Sequence, residues 1–167
     1  MPDAEKSAYS HLYDLLFFAG DDEAFEQDGP DPRKGTFDAL VKRLDLVLRG
    51  QRVRYATHSF TDLELLNAPL EGRVTAITDS VVATAWVVPG SPISVTVVPL
   101  TSLTTIDIHE GDENRFIGQS PWDKLNVKLR FEGLKNRLLI PGNKSSEMNA
   151  REFDEIYPKL IDALLAR

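Results

Sequence analysis

The spacing of the apolar residues changes at Gly50, and this change constrains the fold more than any other feature of the chain. Before Gly50, apolar residues recur every three or four positions, which is typical of one face of an α-helix. After it they alternate with polar residues, and β-branched residues become frequent. We therefore expect an α+β fold that begins with helices and continues with strands.

Two helices are predicted before this point, one from residue 3 or 7 to residue 19 and one over residues 36–48. Residues 21–34 have no sustained period and contain Gly29, Pro30 and Pro32, so most of them are predicted to form a loop. Seven strands are predicted after Gly50, whereas residues 59–66 fit neither period. The strands cover residues 51–57, 73–79, 81–88, 93–98, 103–109, 124–131 and 135–140.

A third helix is predicted over residues 149–166. Asn149, with Glu152 three positions later, resembles a capping box, and an apolar stripe follows it. Pro158 lies inside this stripe, so we expect a kink or a local irregularity there. The stripe consists of Phe153, Ile156, Tyr157, Leu160, Ile161 and Leu164.

Three consecutive segments carry a resemblance to a known family. They are EGRVTAITD at residues 71–79, the apolar strand at 81–88, and VPLTSLTTIDI at 98–108. This order resembles bacterial pleckstrin-homology-like (PH-like) domains, in which one strand ends in a Thr-Asp turn and an Ile-Pro-Leu segment leads into a later strand. The resemblance covers about residues 46–166. It implies a barrel of about seven antiparallel strands with a C-terminal capping helix, here preceded by two N-terminal helices.

The same resemblance implies a binding or assembly module, since eukaryotic relatives recognise phosphoinositides, phosphopeptides or protein partners. Residues 58–72 are net acidic and do not match the basic loop that binds phosphoinositides in those relatives. We expect a helical segment at 1–49 and the PH-like barrel with its helix at 50–167. The N-terminus does not resemble a signal peptide, so a cytoplasmic protein is predicted.

Charge is distributed unevenly along the 167 residues, whose net charge is −7. Residues 1–32 contain nine acids and one base, whereas residues 120–144 contain six bases and two acids. The acidic total argues against broad nucleic-acid binding, which requires a basic face. No apolar run approaches the length of a membrane helix, and we expect no stable membrane association.

Catalytic and metal-binding motifs are missing from the sequence. It contains no cysteine, and its histidines, His11, His58 and His109, belong to three different predicted elements. Gly-rich phosphate loops and nucleophile elbows are also missing, and the acidic residues at 21–31 lack the spacing of a calcium loop. We therefore expect neither enzymatic activity nor a cofactor or metal ion.

A basic hairpin near the end of the β region is the one candidate binding site. Leu125, Val127, Leu129 and Phe131 alternate with polar residues, so the basic side chains are predicted on the outer face. A two-residue turn at Glu132-Gly133 would place like charges opposite each other, whereas a longer loop would place Arg137 opposite Phe131. The basic residues are Lys124, Lys128, Arg130, Lys135 and Arg137.

Three interpretations of this hairpin remain open. The charges would protect a sheet edge against aggregation, bind the protein's own acidic segment, or bind an external anionic partner.

The sequence contains two tryptophans. Trp86 is predicted in the core, and Trp122 either packs over the barrel end or anchors a partner.

The sequence thus predicts a non-enzymatic module that recognises a protein partner or self-associates. One alternative is a small-ligand protein or an enzyme with an unmarked pocket between barrel and helices. The other is a weak binder of anionic membranes or phosphate through the basic hairpin. The apolar N-terminal helices are expected to dock on the barrel or on a second subunit.

Overall fold

The computed structural model describes residues 6–20, 22–25, 29–110, 122, 125–140 and 146–166. They form three helices and seven strands, with a short 3₁₀ turn at Leu100–Ser102. The helices are α1 (Ala8–Phe17), α2 (Arg33–Leu48) and α3 (Glu147–Leu165). The strands are β1 (Tyr55–His58), β2 (Gly72–Ile77), β3 (Val81–Val87), β4 (Ser94–Pro99), β5 (Leu103–Glu110), β6 (Leu125–Phe131) and β7 (Leu138–Ile140).

The strands form two antiparallel sheets, one with the order β1-β2-β3-β4 and one with the order β5-β6-β7. The predicted α+β class and the C-terminal helix are confirmed. Each neighbour in a sheet is also the neighbour in sequence, as expected for short antiparallel connections. No strand pairing joins the two sheets among the described residues, so they are not closed into a barrel by hydrogen bonds.

The helix α2 begins at Arg33, three residues before the predicted start, because Asp31 organises its first turn. The Asp31 carboxylate accepts hydrogen bonds from the backbone N–H of Arg33 and from its guanidinium, at 2.9 Å and 2.7 Å. Arg33 is buried, and its Nη1 also donates to the carbonyl of Leu63 at 2.7 Å. This ion pair therefore fixes the start of α2 against the β1–β2 connection.

The two N-terminal helices pack on one face of the four-stranded sheet, which we call its outer face. α1 contacts β1, and α2 contacts β3 and β4. Apolar side chains from both helices and from the outer face form one buried cluster, including Phe17, Phe37, Leu40, Val74 and Ala83. The helices thus dock on their own sheet, which was one of the two expected arrangements.

The opposite, inner face of the four-stranded sheet faces the three-stranded sheet and α3. A second cluster joins Ile77 and Val82 of the first sheet to Val127 and Leu129 of the second, with Phe153 and Leu160 of α3. The predicted stripe of α3 therefore supplies core side chains, and the helix continues through Pro158. None of the described helices combines the length and apolarity needed to cross a bilayer.

The start of α3 differs from the prediction, because Ser146 and not Asn149 is the N-cap. The Ser146 hydroxyl accepts the N–H of Asn149 at 3.1 Å and donates to the carbonyl of Phe18 at 2.9 Å. Asn149 lies inside the helix and is fully buried. Its Nδ2 donates to the carbonyl of Ala56 at 2.7 Å, and its Oδ1 accepts from Tyr55 Oη at 3.0 Å. Asn149 thus bonds α3 to β1.

We predict that Asn149→Ala lowers the free energy of unfolding by about 2–3 kcal/mol, because it removes two buried hydrogen bonds between α3 and β1. Urea unfolding followed by circular dichroism measures this. Met148→Ala, an exposed position one residue earlier, is the control and should change stability by less than about 0.5 kcal/mol. Equal effects of the two substitutions would contradict the assigned role of Asn149.

Candidate functional site between the two sheets

The inner face of the four-stranded sheet carries side chains in three rows that run across the strands. The first row is apolar and buried under the second sheet and α3: Tyr55, Ile77, Val82 and Val98. The second row consists of threonines in register on all four strands: Thr57, Thr75, Thr84 and Thr96. The third row contains Arg73, Trp86 and Ser94. The inner face therefore changes from apolar to polar along the strands.

Two adjoining grooves lie over this polar part, which we call the inter-sheet groove. One has a volume of about 230 Å³ and lies between Thr84, Thr96 and the β6–β7 turn with Lys135. The other has a volume of about 260 Å³ and lies beside Thr57, Thr75 and Leu139. Arg73 and Trp86 line both. None of the residues that line them is acidic.

Arg73 is held in place from two sides. Its guanidinium carbon lies 4.7 Å from the centre of the Trp86 ring, within the range of a cation–π interaction. Its Nη1 donates to the carbonyl of Arg137 at 3.2 Å. Its backbone N–H donates to Ser59 Oγ at 3.3 Å. A guanidinium fixed in this way has lost part of its freedom before a ligand arrives, which favours recognition of a carboxylate or phosphate.

The prediction that Trp86 lies in the core is wrong, because 48% of this residue is exposed. Its neighbours Ala85 and Val87 are buried, but they point to the outer face under the helices. Trp86 points to the inner face at a level that the second sheet does not cover. It instead stacks on Arg73 of the adjacent strand.

The register of the basic hairpin also differs from both predicted registers. Lys128 lies opposite Leu139, and Leu129 lies opposite Leu138, so residues 132–137 connect the strands. Leu134 explains the longer connection, because its side chain packs on the second core cluster and its N–H donates to the carbonyl of Phe131 at 3.2 Å. Gly133 supports this turn with a φ of +91°, which favours glycine.

The structure distributes the described basic residues of the hairpin over two surfaces. Lys128 lies opposite Asp107 of β5, and Arg137 forms an ion pair with the same carboxylate at 3.2 Å. Lys128 and Arg130 are exposed on the outer surface of the second sheet, and Lys135 is the described basic residue of the hairpin that lines the groove. Lys124 lies outside the described residues. Two described acids of the N-terminal segment form local ion pairs, Asp14 with Lys6 and Asp31 with Arg33.

Trp122 is packed rather than exposed as an anchor for a partner. It is 8% exposed, and its ring centre lies 4.9 Å from that of Phe153 and 4.7 Å from that of Tyr157. Its Nε1 donates to the carboxylate of Asp154 at 2.8 Å. Trp122 therefore packs on the middle of α3.

The three histidines do not meet. His58 is buried at the end of β1, where its ring stacks on Phe60 and its Nδ1 accepts the Phe60 N–H at 3.2 Å. Its Nε2 has no hydrogen-bond partner in the described part of the chain. Burial therefore lowers the pKa of His58 to about 4, because charging the ring there would leave it unsolvated. The described residues include no cluster suited to a metal ion.

A third cavity, of about 340 Å³, lies between α1 and α3. Lys6, His11, Asp14 and Glu152 contribute polar groups, and Phe18 and Met148 contribute exposed apolar surface. Burial raises the pKa of Glu152 to about 7, against the opposing hydrogen bond from Asn149, and the negative charge of Glu155 adds to the rise. The His11 ring makes a structural hydrogen bond, since its Nε2 lies 3.0 Å from the carbonyl oxygen of Val53.

Sequence reasoning missed the inter-sheet groove, although one signal for it is present. Threonines recur at matching positions of four successive strands, at residues 57, 75, 84 and 96, and Arg73 alternates with Thr75. Comparisons of the chain with protein-family models, curated proteins and solved structures found no match. The geometry of the site must therefore carry the functional argument.

The buried neutral His58 predicts a loss of stability in acid. The unfolded chain takes up a proton near pH 6.5, whereas the folded protein does so only near pH 4, so stability falls as the pH drops through this interval. This lowering of the His58 pKa corresponds to a change of about 3 kcal/mol in the free energy of unfolding. His58→Asn does not titrate and offers an oxygen near the position of Nδ1, so its stability should fall less over this pH range.

Urea unfolding between pH 4 and pH 8 measures this difference. Glu152 acts in the opposite direction, because its raised pKa stabilises the fold below about pH 4.5 and this contribution is lost as the pH rises through 7. The comparison is therefore made in a Glu152→Gln background. Parallel pH profiles with and without His58 would contradict the assigned cause.

Proposed function

We propose that this protein is a non-enzymatic binding module that recognises a partner protein through an acidic side chain placed in the inter-sheet groove. Arg73 carries the proposal, because it is oriented by Trp86 and by the carbonyl of Arg137 in a groove whose described lining residues include no acid. Such a groove is unusual in a chain whose net charge is −7. Charge-assisted hydrogen bonds to a fixed guanidinium are among the stronger polar contacts in proteins.

The groove has further groups suited to the same ligand. Lys135 adds a second positive charge at the rim, and hydroxyls of Thr84, Ser94 and Thr96 lie along one wall. Trp86 adds an exposed aromatic surface, a residue type that often contributes strongly to binding. An acidic side chain with a flanking apolar residue fits this combination.

The fold supports a PH-like module, although the comparisons found no family. Four strands in one sheet, three in a second and a C-terminal helix follow in the order expected for that architecture. The helix packs against the apolar end of the inner face, and the groove lies at the other end. We propose that the protein is a bacterial PH-like domain that acts in the cytoplasm, as the sequence resemblance implies.

A protein partner is favoured over an anionic membrane by the charge beside the groove. The β1–β2 connection contains Asp62, Glu64 and Glu71 and no basic residue between His58 and Arg73. These acids would repel an anionic bilayer that approached the side of the groove formed by β1 and β2. An isolated carboxylate on a flexible segment reaches Arg73 without bringing an extended negative surface with it.

The described residues that line the groove include no carboxylate, which supports a binding role rather than catalysis. The titratable side chains that line it are Arg73, Lys135 and His58, and His58 is buried with a pKa of about 4. General acid–base chemistry at neutral pH needs a group that titrates near that pH.

Titration with a short peptide that carries a single glutamate beside a leucine, followed by tryptophan fluorescence in a Trp122→Phe background, tests the proposal. Arg73→Gln keeps hydrogen-bonding capacity but loses the charge, so we expect affinity to fall roughly tenfold or more, as for a lost charge-assisted contact. Arg130→Gln, on the outer face of the basic hairpin, is the matched control and should change affinity less than about twofold.

Two outcomes would overturn the proposal. If Arg130→Gln weakened binding as much as Arg73→Gln, the basic hairpin would be the site. If vesicles containing a third of phosphatidylserine bound the protein at low salt through Arg73, while the peptide did not bind, the anionic membrane would be the partner.

A further inference from the structure

The strand β4 is an exposed edge of the four-stranded sheet. The other edge, β1, is covered, since all four of its residues are buried and α1 and α3 contact it. Four of the six residues of β4 are exposed, and β3 is its only strand partner among the described residues. No backbone hydrogen bond joins Ser94–Pro99 to another strand on the open side within the described ranges. The outward N–H and C=O groups of β4 are thus available for pairing.

This edge lacks the features that usually prevent strands from pairing between molecules. Ser94–Pro99 contains no charged residue, and Val97 is 40% exposed. The edge strands of the second sheet differ, because β5 carries Asp107 and Glu110 and β7 directly follows Arg137. Monomeric proteins commonly protect open edges with charges, prolines or bulges. On β4 only Pro99, at the very end, serves this purpose.

We propose that β4 pairs with β4 of a second copy of this chain, in an antiparallel arrangement with a two-fold axis at Thr96. In this register Thr96 lies opposite Thr96 of the partner subunit, and Val95 lies opposite Val97 of the partner subunit. Because of the two-fold symmetry, this valine pair occurs twice, once on each side of the axis. Pairs of β-branched residues and threonine pairs are favourable across strands. The two four-stranded sheets become one continuous sheet of eight strands.

The chemistry of β4 favours a second copy over a different partner. The strand offers no charge by which a dissimilar segment would be selected, whereas its central segment Val95-Thr96-Val97 has the same order of side chains when the strand is reversed. Two neutral strands also meet without like-charge repulsion. Such a contact is isologous and closed, so it forms a dimer rather than a fibre.

The surface beside the edge is compatible with this dimer. α2 packs against β3 and β4, and it leaves two large apolar side chains, Leu46 and Val47, exposed. Pairing through β4 places the two copies of α2 on the same face of the joined sheet. The inference does not depend on the proposed function, because it uses the strand edge and not the charge of the groove.

The mass of the full chain in solution, measured by light scattering, is the first test. We expect about twice the chain mass of 18.7 kDa for the natural sequence and a single chain mass for Val97→Lys. Ile108→Lys introduces the same charge at an exposed position of β5, an edge strand of the other sheet, and should leave the dimer intact. Circular dichroism of both variants confirms that they are folded.

Disulfide formation between copies tests the register, since the natural chain contains no cysteine. Thr96→Cys should form a crosslinked dimer on mild oxidation, because each Thr96 faces its equivalent at a distance that a disulfide spans. Ile108→Cys is the control and should not crosslink. A crosslink at Val97→Cys instead would support pairing through β4 with its axis one residue further along. A natural chain that is monomeric at 100 μM, or a dimer that persists in Val97→Lys, would overturn the proposal.

Discussion

The inner face of the four-stranded sheet governs the rest of the structure, because its side chains change from apolar to polar within three rows. The row with Ile77 and Val82 is covered by the second sheet and α3. The threonine row and the row with Arg73 and Trp86 line the inter-sheet groove. The outer face of this sheet is covered by α1 and α2. The polar rows on the inner face can therefore contact a ligand through the groove.

The positive charges of the hairpin and of Arg73 have different surroundings. One carboxylate of β5 meets part of the positive charge of the hairpin, because Asp107 forms an ion pair with Arg137 and lies opposite Lys128 in the strand register. Exposed pairs of this kind contribute little to stability, about 0–1 kcal/mol. Arg73 is different, because its contacts are an aromatic ring and a carbonyl group rather than a carboxylate. Its positive charge is therefore not neutralised by the contacts that orient it.

The order of helices and strands could be predicted from the sequence, because the interval at which apolar residues recur depends only on residues that are close in the chain. The sequence also predicted the inward side of β6, since Val127, Leu129 and Phe131 alternate without exception. The exposure of Trp86 was not predictable in this way. Val82, on the same face of β3, is buried, and only the extent of the second sheet decides which of the two is covered.

The remaining errors have a similar origin in distant contacts. The hairpin register depends on Leu134, because its packing against the second core cluster lengthens the turn. The role of Asn149 depends on Tyr55 and Ala56, which precede it by more than ninety residues. A polar side chain that forms hydrogen bonds with a distant strand resembles a helix cap when only the residues next to it in the sequence are considered. The groove itself is assembled from five strands and one turn, so no single segment identifies it.

Nuclear magnetic resonance of the ¹⁵N-labelled protein during titration with an acidic peptide tests the central claim most directly. The chain contains two indole N–H groups, one of Trp86 in the groove and one of Trp122 packed on α3. We expect the resonances of the Trp86 indole and the Arg73 guanidinium to shift with one affinity, while that of the Trp122 indole stays unchanged. Shifts confined to Lys128 and Arg130, with Trp86 unaffected, would contradict it.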